Sequence, residues 1–118
     1  MASFVISIRP SGEYKFVFTS RRGKTIFTSK GYETFDSCNV AIEEMRTSVE
    51  LLDFNKQKTT SGKFYFKVLL DEVPLASSRR YTTELRVAKG IDEVKRDMLK
   101  AEVLDFSTQT FVFPDIEF

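Results

Sequence analysis

At 118 residues, 42% hydrophobic and 30% charged, the chain is long enough to bury one core, short for two, and too apolar to stay disordered, so a single domain over residues 1–118 is expected. Eighteen basic against seventeen acidic residues leave a net charge of +1, which excludes a global field drawing the protein to nucleic acid or anionic lipid; any such binding needs a local patch. The one cysteine, Cys38, has no partner for an internal disulfide, residues 1–10 lack the pattern of a signal peptide, and no apolar run is long enough to span a bilayer, which together predict a soluble cytoplasmic protein.

Twelve Phe and four Tyr, with no Trp, lean the composition towards sheet. Phe4, Val5, Ile6, Ser7 and Ile8 read as a first strand. Tyr14, Phe16 and Phe18 then alternate with Lys15, Val17 and Thr19, the period of two of a strand with one buried face. A turn at 21–23 leads into a second hairpin strand at 24–29. The period then lengthens: Cys38, Ala41, Ile42, Met45, Val49 and Leu52 fall on one face of a helix, with Thr34 placed to cap its N-terminus.

The same order follows again. A more polar strand is expected at 54–59, and Phe64, Phe66 and Val68 alternate with Tyr65, Lys67 and Leu69. Asp71 and Glu72 take the turn, and Val87, Ile91, Val94 and Met98 form a helical stripe behind the cap residue Thr83. A last strand is expected at 106–113, closed by Pro114, which cannot continue a ladder.

Three blocks recur in order. The run from Ser11 and Gly12 to Phe16 matches Ser61 and Gly62 to Phe66 at an offset of fifty. Thr28, Ser29, Lys30, Gly31 and Tyr32 match Ser77, Ser78, Arg79, Arg80 and Tyr81 at an offset of forty-nine, and Ala41, Ile42, Glu43, Glu44 and Met45 match Gly90, Ile91, Asp92, Glu93 and Val94 at that same offset. The chain therefore reads as a tandem repeat, with repeat 1 at about 4–52, repeat 2 at about 54–106 and a C-terminal strand or tail at 107–118.

On the series Gly62, Lys63, Phe64, Tyr65, Phe66, the series Gly23, Ile26, Ser29, Tyr32 and the helical set Gly90, Ile91, Val94, Lys95, the chain resembles the YegP-like family over residues 4–100. These are small bacterial and archaeal domains of unknown function that occur singly or in tandem. The resemblance implies an α+β fold of tandem pseudo-twofold β(3)-α-β repeats forming one antiparallel sheet, with terminal strands exchanged between units and two helices packed on one face. It implies no catalytic or binding residues. The chain departs from the pattern at Asp71, Glu72, Val73 and Pro74, which replace an Asn-Gly-type turn, and in its tail beyond Phe106.

No residue is assigned to catalysis, a cofactor or a metal. The chain has no histidine, Cys38 lies on an apolar stripe, and the adjacent Glu43 and Glu44 diverge on a helix rather than converging on a substrate. No cysteine pair or calcium-loop spacing offers metal ligands, and the single glycines Gly12 and Gly62 do not make a phosphate cradle. Two stretches are basic: Arg9, Lys15, Arg21, Arg22, Lys24 and Lys30 against Glu13, then Lys56, Lys58, Lys63 and Lys67.

Strand alternation puts Val5, Val17, Phe27, Tyr65 and Leu69 on the sheet face opposite Phe16 and Phe66. A candidate contact surface therefore comprises Val17, Tyr65 and Leu69 with Lys15, Lys63 and Lys67 at its rim. The expected function is a noncatalytic structural or protein-interaction domain, whose partner is an unidentified protein or a second copy in a weak homodimer. The alternative is weak single-stranded nucleic-acid binding on the same basic, partly aromatic face. No membrane, small-molecule substrate or cofactor is expected.

Overall fold

The structure of the protein, a computed structural model, describes residues 1–107. Three strands, β1 (Ser3–Ile8), β2 (Tyr14–Thr19) and β3 (Thr25–Ser29), lead to helix α1 (Phe35–Thr47). After a short 3-10 turn at Val49–Leu51 the order repeats as β4 (Asp53–Lys58), β5 (Phe64–Leu70), β6 (Val73–Ser78) and helix α2 (Glu84–Asp97), and β7 (Glu102–Asp105) follows. All seven strands lie in one sheet, ordered β4-β5-β6-β3-β2-β1-β7.

The expectation of an antiparallel sheet holds for six strands and fails for the seventh, because β7 runs parallel to β1 with Ser3 beside Glu102 and Ile6 beside Asp105. The sheet is therefore mixed. The chain leaves α2 next to the start of β1, where the Glu102 N–H donates to the Ala2 carbonyl, so β7 begins where β1 begins. No hairpin joins the two, and nothing forces them to oppose. The strand after each helix lies at an edge of the sheet, β4 beside β5 and β7 beside β1. The last strand also begins four residues earlier than position 106; positions 108–113 of the expected strand and the tail to 118 lie outside the described residues.

Both helices begin at threonine caps. Thr34 Oγ1 accepts from the Ser37 N–H at 3.1 Å and Thr83 Oγ1 from the Arg86 N–H at 3.2 Å, each satisfying one of the first-turn donors that a helix leaves unpaired. The apolar stripe of α1 ends at Met45; Val49 sits in the 3-10 turn and Leu52 beyond it, so they extend the core without extending the helix. Met45 and Val94 are both fully buried.

The sheet's inner face carries Phe4, Ile6, Phe16, Phe18, Phe66 and Val68, all without solvent exposure, and it packs with Cys38, Ile42 and Met45 of α1 and Val87, Ile91 and Val94 of α2 in one core cluster. Each such side chain contributes about 1.5–3 kcal/mol by burial. Phe27 belongs to this core and not to the outer face. Strict alternation along β3 assigns it outward, but Phe18 pairs with Phe27 and Thr19 with Thr25, so Ile26 is an extra residue in a β-bulge. Both Ile26 and Phe27 then face inward, and the Phe27 ring stacks on Phe18 at 5.3 Å. The matching shift between Val68 and Leu69 buries Leu75 in the other half.

A basic groove as the candidate functional site

Register confirms that Val5, Val17 and Lys15 share the outer face with Tyr65, Lys67 and Leu69. Their exposure does not match a continuous contact surface. Val17 and Lys15 are each 8% exposed, Tyr65 and Leu69 are half-buried, and Lys63 and Lys67 are exposed. Val17 lies on a central strand between Val5 and Thr28, and rows of neighbouring side chains shield such positions. The exposed residues of this face include Asp53 and Asn55 on β4, Lys67 on β5 and Ser77 on β6.

The cations collect elsewhere, in a groove of about 550 Å³ between the β2–β3 turn, the segment leaving β6 and helix α2. Arg21, Arg22 and Lys24 come from the turn, Arg79 and Arg80 from the segment after β6, and Arg86, Lys89 and Arg96 from the helix. Glu93 is the one acidic side chain in the lining. Arg86, Lys89, Glu93 and Arg96 stand three and four residues apart, so they share one face of α2, away from the buried stripe of Val87, Ile91 and Val94.

Local chemistry holds each wall in place. In the turn, Gly23 takes a positive φ of 80°, a conformation that costs a residue with a Cβ, while Ser20 Oγ accepts from the N–H groups of Arg22 and Lys24. The Arg79 N–H donates to the Ile26 carbonyl at 2.9 Å, tying the end of β6 to β3. At Gly90 an added Cβ would come within 2.6 Å of the Tyr81 hydroxyl, so the absence of a side chain lets the Tyr81 ring lie on α2 and form the floor. The Arg79 guanidinium sits over that ring at 5.3 Å.

Asp97 anchors the rim. It is 6% exposed and accepts from Arg21 at 2.8 Å and from Arg96 at 3.1 and 3.0 Å, joining the turn to the end of α2. The hydrogen bond from Arg96 holds its carboxyl below the usual carboxylate range against the opposing effect of burial, and Arg21 adds to the lowering. Among the described residues Arg22, Lys24, Arg79, Arg86 and Lys89 form no ion pair, so their charge is open to a ligand.

Sequence reasoning singled out Arg21, Arg22 and Lys24 but assigned no role to Arg79, Arg80, Arg86, Lys89 or Arg96. The spacing of Arg86, Lys89 and Arg96 on α2 was the available signal. At positions matched by the sequence offsets stand Lys30, Gly31, Tyr32 and Glu33, then Ser37, Val40, Glu44 and Thr47 of the first half, with Asp71 and Glu72 in the turn of the second half. One cation and four acids stand where the groove has eight cations and one acid.

Two other titratable groups are part of the core. Burial pushes the Cys38 thiol up to about 11, with the negative charge of Asp105 adding to the rise, so it is protonated at neutral pH. Burial likewise pushes the Tyr32 hydroxyl up to about 12, helped by Cys38 and Glu44, and that hydroxyl has no hydrogen-bond partner instead of reaching solvent or backbone. Among the described residues no group of three metal-ligating side chains occurs, and no helix is long and apolar enough to cross a membrane.

A mixed seven-stranded sheet with two helices places the chain among small α+β domains. No protein-family model matches it. Over 104 residues, however, it is 30% identical to the UPF0339 protein YegP of Escherichia coli (strain K12), covering 86% of this chain and 94% of that protein. It is also 31% identical over 94 residues to the YegP of Escherichia coli O6:H1, covering 78% and 86%. The chain belongs to the UPF0339, or YegP-like, family. The solution NMR structure of yegP from E. coli, a protein of unknown function, superposes with a TM-score of 0.82 at 26% identity, covering 92% of this chain and 96% of that one. The UPF0339 protein SO3888 from Shewanella oneidensis, at 20% identity and a TM-score of 0.83, shares the fold over 92% of this chain and 94% of its own.

Proposed function

We propose that the chain is a noncatalytic binding domain whose basic groove holds an anionic partner. The observation that carries this reading is the convergence of eight cationic side chains from three separate elements on one concavity lined by a single acid. Arg21 and Arg96 are paired with Asp97, but the other six cations repel one another, and a bound anion relieves that repulsion. The buried free thiol of Cys38 fits a reducing cytoplasmic setting.

Retention on heparin tests the reading. The protein should be held at low salt and released as salt rises, and the double variant Arg86→Glu, Lys89→Glu should elute at clearly lower salt. Equal retention of variant and parent would refute the groove as the site. A second reading, self-association, has the half-buried Tyr65 and Leu69 on the outer face of β5 and the 48% exposed Val73 at the start of β6 in its favour. Light scattering at high micromolar concentration checks it, and a strictly monomeric mass would rule it out.

A further inference from the structure

We infer that the anion taken by the groove is a single-stranded nucleic acid, an assignment that rests on the groove being the binding site. Three observations point past an isolated phosphate. The cations form a track and not a cluster around one point: Arg22 and Lys24 lie on the turn, Arg86 and Lys89 on the helix, and Arg79 and Arg80 on the segment between them and β5. The track continues beyond the groove, because Arg80 lays its guanidinium over the Tyr65 ring at 4.5 Å, and Tyr65 adjoins the exposed Lys63 and Lys67 on the outer face. The third observation is the chemistry of that end. A planar cation over a half-exposed aromatic ring is a surface on which a base stacks, and it adds nothing to the capture of a bare anion.

The lining also argues against the other polyanions. Ile26 is its one aliphatic member, so an acidic peptide would find charge but almost no pocket for its apolar side chains. A duplex presents two rigid backbones and shields its base faces, leaving the Arg80–Tyr65 pair unused, whereas a flexible strand can lay phosphates along the groove and turn a base onto the ring. The phosphates meet Arg22, Lys24, Arg86 and Lys89; the base meets Arg80 and Tyr65.

The test is fluorescence anisotropy with a labelled oligo-dT of about 12 nucleotides, run beside inorganic polyphosphate, poly-glutamate and a duplex of equal length as competitors. The parent should bind the oligonucleotide with an affinity that falls steeply with salt. Arg86→Glu with Lys89→Glu should weaken binding at least about tenfold and flatten the salt slope, while Lys100→Glu, on the exposed end of α2's connection to β7, should not. Tyr65→Ala should weaken the oligonucleotide about tenfold and leave polyphosphate unchanged. The three substituted side chains outside Tyr65, at Arg86, Lys89 and Lys100, are exposed, and matched thermal melts establish that the variants are folded. If polyphosphate or poly-glutamate competes as well as the oligonucleotide and Tyr65→Ala changes nothing, the groove is an anion site but the nucleic-acid assignment is wrong. If the duplex binds as tightly, the single-strand assignment is wrong. If no anion binds, the groove reading falls with it.

Discussion

Ser29 and Ser78 do the same task in the two halves of the molecule: each buried hydroxyl accepts from the backbone N–H of a core phenylalanine, Phe16 or Phe66, at 2.9 Å and donates to the carbonyl of the next residue at 2.8 Å. Tyr32 bridges to Tyr14 as Tyr81 bridges to Phe64, and Thr34 and Thr83 cap α1 and α2 alike. Around these shared fittings the surfaces diverge. Arg21, Arg22, Arg86 and Lys89 face Asp71, Glu72, Ser37 and Val40 at matched positions. Residues that satisfy buried backbone groups are alike because the geometry admits few solutions, while exposed ones are free to specialise. That only one of the two matched sets of positions is basic is a difference that folding did not require.

Six substitutions break or sharpen that comparison. The largest effect is expected at the tyrosines. Tyr81→Ala should cost about 2–4 kcal/mol in urea unfolding, since its ring fills the space left by Gly90. Tyr32→Phe, in contrast, should stabilise by about 1 kcal/mol, because it removes a buried hydroxyl without a partner. Equal responses of the two tyrosines to Phe substitution would show that their environments do not differ.

Asp97 comes next, matched in the first half by Ser48. Asp97→Asn should cost about 1–3 kcal/mol at neutral pH by weakening the bonds to Arg21 and Arg96. The folded carboxyl is held below its ordinary value, so its contribution is complete above the unfolded value of about 3.9 and disappears as pH falls through the lower folded value. Acid unfolding should therefore show a loss of stability below about pH 4 that the asparagine variant lacks. A parent and variant with superimposable acid limbs would remove Asp97 from the account.

Ser78→Ala should cost about 1–2 kcal/mol by orphaning the Phe66 N–H, and Ser29→Ala should cost the same within a few tenths. A large disparity between them in chemical denaturation would mean the shared hydrogen bonds hide unequal roles. The smallest effect belongs to the turns. Asp71 and Glu72 both adopt positive φ, at 50° and 68°, where the first half uses Gly23. Such backbone strains a residue with a Cβ by about 1 kcal/mol, so Glu72→Gly should raise the melting temperature slightly.

Much of the fold was legible because its signals are local. Alternation marked the strands that carry Phe16 and Phe66, a change of period marked both helices, and Thr34 and Thr83 marked their starts. The family resemblance rested on such local series and is shown by the relatives. Legibility stopped where parity or distance intervened. The bulge at Ile26 turned Phe27 inward, and one extra residue reverses every side chain that follows in a pattern of period two. The outer face was drawn correctly for Tyr65, Lys67 and Leu69, yet the burial of Lys15 and Val17 depends on what surrounds a central strand and not on its own alternation.

From its residues alone the chain specified a β-rich domain with two capped amphipathic helices, because periodicity and capping are decided within a few positions of each residue. Pairing of β3 with β6 was decided only by the tertiary structure, and with it the meeting of Arg21, Arg22 and Lys24 with Arg79, Arg86 and Lys89. Those groups stand about half the chain apart, and no local rule states which distant backbone groups will find each other; the run that looked merely basic in sequence became a groove when the ladder between the two halves closed.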